Sequence, residues 1–194
     1  MKKYVLFTLV VLVLANLSVS FGYGQDRVDV QMSPSTANIW YFHSPSKGLN
    51  FYLMSTWPDG GLLTKFGPPK IQLGKSAGIS IGVGPDLFLK AKTAKELFKS
   101  FTLDVVPSMF FGKFSAVLVN EVGVNKDGSG IYFIRHSIGF DPIGVRYSSA
   151  GAFGKKAFFF RIGPTVKFGK IQLWIPYDTV GKEWLVEVSL SIPF

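Results

Sequence analysis

The 194-residue sequence predicts an all-β protein, a closed antiparallel up-and-down transmembrane β-barrel of about eight to ten strands behind a signal peptide. Three observations carry this. The C-terminal run Trp184-Leu-Val-Glu-Val-Ser-Leu-Ser-Ile-Pro-Phe194 alternates, with Trp184, Val186, Val188, Leu190, Ile192 and Phe194 apolar and mostly small or polar residues between them. Successive strand side chains point to opposite faces, so this segment has one oily and one wet face. The composition is 47% hydrophobic and 15% aromatic, yet after the first residues no apolar run approaches the roughly 20 residues of a membrane helix. A closed barrel is the remaining way to place such a chain in lipid with every backbone group paired.

At the N-terminus, Lys2 and Lys3 precede an apolar run from Tyr4 to Ala15, followed by small and polar residues up to Gly24. That is the layout of a secretory signal peptide, assigned to 1–24, with cleavage after Ser20 or Gly24. Its loss lowers the net charge from +9 to +7, because Lys2 and Lys3 leave with it. Residues 25–47, with Pro34 and Pro45, read as a periplasmic extension or a weak first strand, and 48–194 as the barrel. The sequence has no cysteine, which excludes disulfides.

Period-two alternation recurs along the body. Leu49, Phe51 and Leu53 oppose Asn50, Tyr52 and Met54, and Ile79, Ile81 and Val83 oppose glycine and serine. Leu87 and Leu89 oppose Asp86 and Lys90, and Phe101, Leu103 and Val105 oppose Thr102 and Asp104. Phe114, Ala116 and Leu118 oppose Lys113 and Ser115, while Tyr132, Ile134, Ile138 and Phe140 oppose Arg135 and Ser137. Ile143, Val145 and Tyr147 oppose Arg146; Phe158, Phe160 and Ile162 oppose Arg161; Ile171, Leu173 and Ile175 oppose Lys170 and Gln172. Short turns are expected at Gly84-Pro85, 111–113, Asp141-Pro142 and 163–169. Longer links are expected at 56–69, 93–100 (a short helical loop), 125–130, 151–156 and 178–183. This count closes at ten strands.

A charge on the lipid face costs roughly 2–4 kcal/mol near the midplane, so the polar faces belong inside. The expected lumen charge network is Asp86, Lys90, Asp104, Lys113, Glu121, Arg135, Arg146, Arg161, Lys167 and Glu187. Side chains fill most of the interior of so small a barrel. The first reading is therefore a largely plugged barrel with a structural or surface-interaction role. The alternative is a narrow passive channel for small anions or apolar solutes.

Catalytic constellations fail inspection. His136 and Ser137 are strand neighbours pointing to opposite faces, and His136 shares the phase of Ile134 and Ile138, which suggests a place near a membrane interface. His43, beside Ser44 and Ser46, has no acid placed to orient it. Gly74-Lys75-Ser76 lacks the earlier glycine of a phosphate loop, and the run from Asn125 to Gly130 lacks the closing glutamate of a calcium loop; Asp127-Gly128 reads as a hairpin turn. No catalytic residue, metal or cofactor is expected, and a lipid-modifying enzyme is the least favoured reading.

The leader, the alternating strands and the aromatic C-terminus together resemble a small bacterial outer-membrane β-barrel protein of porin-like architecture, without pointing to a subfamily. The resemblance implies an integral outer-membrane location and a monomer among outer-membrane lipids and lipopolysaccharide. It also implies periplasmic chaperones and the outer-membrane assembly machinery as partners in biogenesis, the machinery reading Trp184, Val186, Val188, Leu190, Ile192 and Phe194. Pro193 departs from that pattern because it lacks an N–H for the ladder. Scattered charges and an exported address argue against nucleic acid.

Overall fold

A computed structural model describes residues 27–33, 36–43 and 49–193. The expected leader at 1–24 and the terminal Phe194 lie outside the described residues. The elements in chain order are β1 (Arg27–Met32), β2 (Ala37–His43), β3 (Asn50–Trp57), β4 (Gly61–Gly67), β5 (Ile71–Gln72) and β6 (Ala77–Phe88). Helix α1 (Ala94–Leu97) precedes β7 (Phe98–Phe111), β8 (Phe114–Asn125), β9 (Gly130–Phe140), β10 (Ile143–Ala152) and β11 (Ala157–Phe168). β12 (Ile171–Trp174), β13 (Tyr177–Asp178), β14 (Glu183–Trp184) and β15 (Glu187–Pro193) complete the chain.

All pairings are antiparallel, and the sheet closes on itself where β15 meets β1, from Arg27 opposite Pro193 to Met32 opposite Val188. Three staves are interrupted: β5 continues the stave of β4 along β6, β13 continues β12 along β11, and β14 continues into β15. The result is a closed barrel of twelve staves. The break between β12 and β13 falls at Ile175-Pro176, where proline supplies no ladder N–H. Gly163 of β11 faces this kink; a Cβ there would stand 2.1 Å from the Ile175 carbonyl oxygen, so glycine is what lets the two backbones approach.

Twelve staves replace the eight to ten expected, for identifiable reasons. Residues 25–47 contain β1 and β2, both in the barrel wall, and the link expected at 56–69 contains β4. In the other direction, Gly84-Pro85 is not a turn, because β6 runs straight through it. The β4–β6 register skips from Leu63 opposite Asp86 to Phe66 opposite Val83, so Pro85 sits where the ladder lapses and its missing donor is not needed. Gly163 is likewise within β11, and the turn lies at Gly169-Lys170 with Gly169 at φ +60°. The helical loop is present as α1, capped by Thr93, whose hydroxyl accepts from the Glu96 amide at 3.3 Å.

β7 shows how the wall is built. Phe101, Leu103 and Val105 are 50%, 41% and 37% exposed, whereas Ser100, Thr102 and Asp104 are 1%, 2% and 1% exposed. The apolar row faces outward and the polar row inward, the reverse of a soluble sandwich. Register carries that phase around the wall, so Val83, Val122, Ile138, Val145 and Ile162 are outward and well exposed. On β1–β3 a buried apolar cluster of Val28, Ile39 and Tyr41, with Val30, Phe51 and Leu53 against it, holds the face opposite to Gln31.

Candidate functional site: the inner wall

Three sectors of inner wall follow one another around the barrel. The first is acidic. Lys65 of β4 is fully buried and its Nζ lies 2.5 Å from Asp104 Oδ1 and 2.9 Å from Glu121 Oε2. Asp104 and Glu121 are register partners on β7 and β8, and Gly82 of the intervening β6 is opposite Asp104. A Cβ on Gly82 would meet Lys65 Cβ at 3.3 Å and Asp104 Oδ2 at 3.4 Å, so the glycine leaves the lane along which lysine crosses to its acids. Near one end of this sector a cavity of about 400 Å³ is lined by Asp86, Lys99, Ser100, Glu121, Asn125 and Phe133, among others.

The second sector is basic. Arg135 of β9 and Arg161 of β11 are both register partners of Ser148 on β10, and Arg146 lies two residues along β10 from that serine. Arg146 donates from Nε to Ser137 Oγ at 2.9 Å, from Nη1 to Glu187 Oε1 at 3.2 Å, and from Nη2 to Gln172. Arg161 Nε donates to Asp178 Oδ2 at 2.9 Å. Arg135 Nη1 donates to Gln31 Oε1 at 3.0 Å, and because β1 lies on the other side of the closed wall this bond spans the lumen. Each guanidinium also lies over an aromatic ring: Arg135 over Phe133 at 5.5 Å, Arg146 over Trp174 at 5.3 Å and Arg161 over Phe159 at 4.5 Å. A ring beneath a guanidinium holds its plane while leaving the N–H edges available.

The third sector, on β1–β3, is aromatic. Trp40, Phe42, Tyr52 and Met54 share the inner face, with Phe42 and Tyr52 rings 5.7 Å apart and Arg27 over Phe42 at 4.4 Å. Arg27 Nε reaches Asp29 Oδ2 at 3.1 Å.

Of the residues expected in the lumen, Asp104, Glu121 and their neighbour Asp86 come together in the first sector, and Arg135, Arg146, Arg161 and Glu187 in the second. Two do not belong, and a third stands at the rim. Lys90 lies beyond the end of β6, donates to the Pro58 carbonyl and covers the Trp57 ring at 5.4 Å. Lys113 is in the two-residue turn after β7. Lys167 keeps the inner phase within β11, opposite Gln172, but near the strand's end it is half exposed and 3.8 Å from Asp141. For Lys90 and Lys113, alternation extrapolated past the strand ends placed them inside; a turn releases side chains from the two-face rule. Lys65, Asp178, Gln31, Gln172 and Arg27 were not foreseen. For Lys65 the missed signal is Pro58-Asp59-Gly60, a turn sequence that announces a returning strand.

His136 is outward, as its phase requires, but it stands mid-strand rather than at the rim. Asn120 Nδ2 donates to the Leu118 and Val105 carbonyls at 3.0 and 3.3 Å, which turns its Oδ1 toward His136 Nε2 at 2.8 Å. His136 therefore carries its proton on Nε2, and Nδ1 accepts from the Tyr147 hydroxyl at 2.7 Å. Ser137 faces inward to Arg146, so the wall separates it from His136. At a loop, the Ser129 hydroxyl (2.6 Å) and amide (2.9 Å) donate to Asp127 and hold its carboxyl below the usual carboxylate range.

No family model matches the sequence, and no curated protein matches it. Among solved structures the chain is similar to the KdgM porin in complex with disordered oligogalacturonate, at TM-score 0.57 and 9% identity over 88% of this chain and 99% of that one. A triple mutant of the Rhodopseudomonas blastica porin also matches, at TM-score 0.42 and 14% identity over 82% of this chain and 56% of that one. The fold is that of a porin-like β-barrel.

Proposed function

We propose that this chain is an outer-membrane channel passing small anions. The observation that carries the reading is the convergence of Arg135, Arg146 and Arg161 on one inner patch of three adjacent strands. Such a patch raises the local anion concentration in a low-dielectric passage. Twelve staves enclose a wider interior than the eight that side chains alone fill, which supports passage over the plugged, surface-interaction barrel. The KdgM porin was solved with an oligogalacturonate; for this chain the choice of anions rests on its own arginines. The same reading places the chain in the outer membrane among lipids and lipopolysaccharide, delivered by periplasmic chaperones and inserted as a monomer by the assembly machinery.

Planar-bilayer recording under a potassium chloride gradient tests it. Discrete steps whose reversal potential lies toward that of chloride are expected, and replacing Arg135, Arg146 and Arg161 by glutamate should invert the sign. Silence, or a reversal potential indifferent to the triple replacement, would reject the channel.

A further inference from the structure

One lumen arginine is not matched like the others. Arg146 and Arg161 have Glu187 and Asp178 as ion-pair partners, at 3.2 and 2.9 Å. Among the described residues no carboxylate lies within ion-pair distance of Arg135; its Nη1 contacts only the Gln31 amide oxygen, and its Nε is buried without a partner. Beside it, Ser148 is 1% exposed and its hydroxyl also lacks a partner. Arg135 and Ser148 are register partners on β9 and β10, so these two orphaned donors face one spot on the inner wall. A desolvated cation and an unsatisfied hydroxyl side by side are costly unless an anion joins them.

We propose that Arg135 and Ser148 form a seat for one carboxylate group of a permeating solute. With Nη1 held by Gln31, the edge without a partner is Nε–Nη2, whose two parallel N–H bonds match the two oxygens of a carboxylate; Nε is closed to solvent here, so a ligand takes this edge only as the side chain shifts. The Phe133 ring 5.5 Å from the guanidinium fixes the plane of that fork. The Ser148 hydroxyl supplies a third donor, and Arg161 on its far side adds positive potential without giving up Asp178. A monatomic anion gains the charge but not the fork. The seat thus makes transport saturable and selective for carboxylates among anions. It rests on the channel reading and deepens it.

The test records full-length protein in planar bilayers with acetate titrated into chloride at constant ionic strength. Conductance should fall and saturate with acetate. Arg135→Lys keeps the charge but loses the side-on fork, so half-saturation should move up by about tenfold. Ser148→Ala should raise it by about threefold, and it serves as the second variant should Arg135→Lys fail to fold. Identical half-saturation in wild type and either folded variant overturns the seat. Phosphate displacing acetate at equal or lower concentration overturns the carboxylate assignment. If the wild-type channel is silent, the channel reading fails by itself. Saturation-transfer NMR titration of acetate on the detergent-solubilised protein then decides the seat: a dissociation constant raised about threefold in Ser148→Ala supports it, and an unchanged constant or no wild-type signal overturns it.

Discussion

Lys65 is the residue on which the acidic sector depends. It is fully buried, flanked by Asp104 and Glu121, and reaches them only because Gly82 has no side chain. Removing one member of a buried charge cluster leaves the others uncompensated, at a cost of about 3–5 kcal/mol. Lys65→Met should lower the unfolding free energy in detergent by that order, read from urea titration of tryptophan fluorescence. Adding Asp104→Asn and Glu121→Gln should recover part of it, since the stranded charges are then gone. A single variant as stable as wild type would show that the cluster is well hydrated. The sequence hid Lys65 because Gly61–Gly67 carries Leu62 and Leu63 on opposite faces, so its alternation has no contrast.

At the scale of elements, strands β8, β9 and β10 are stapled from outside by Asn120, His136 and Tyr147. Their polar atoms satisfy one another and two backbone carbonyls, which is the condition for such groups to face lipid. Tyr147→Phe strands His136 Nδ1 on an apolar surface and should destabilise the barrel by about 1–2 kcal/mol in the same unfolding experiment. His136→Phe combined with it should restore most of the loss, because both partners then become apolar; a neutral Tyr147→Phe would show that solvent reaches the wall there. Sequence phase put His136 on the outer face but could not supply its height or its partners. Those depend on register between strands: Leu118 and Tyr147 both stand opposite His136, and no local pattern encodes that.

For the whole molecule, closure is the decisive event, and it is made by β1 against β15. Val188, Leu190 and Ile192 pair with Met32, Val30 and Val28 on the outer face, while Ser189 and Ser191 meet Gln31 and Asp29 within. Leu190→Asp puts a charge into lipid at about 2–4 kcal/mol near the midplane, whereas Ser189→Asp keeps it on the wet side. In unheated detergent electrophoresis the wild type and Ser189→Asp should run as the compact, fast band, and Leu190→Asp should lose most of it. A fast band kept by Leu190→Asp and lost by Ser189→Asp would mean that the faces are assigned the wrong way round. β1 was the half of this seam read only as an extension or a weak strand. Its neighbour β2 turns Trp40 and Phe42 inward, so apolar residues occupy both faces there and the two-residue period fades.

The fold class and the faces of most strands were set by a local property, the alternation of oily and polar side chains, which survives in one dimension because a strand shows each face every second residue. Strand number and the grouping of the charges were not local. They were decided when the sheet closed: β1, β2 and β4 found partners that their own composition did not announce, and β6 ran through a glycine-proline pair because β4 let its ladder lapse there. Closure also brought Gln31, more than a hundred residues away, to Arg135. Which arginine lacks a carboxylate is a property of the circle and not of the line, since it depends on which residues face each other across the lumen.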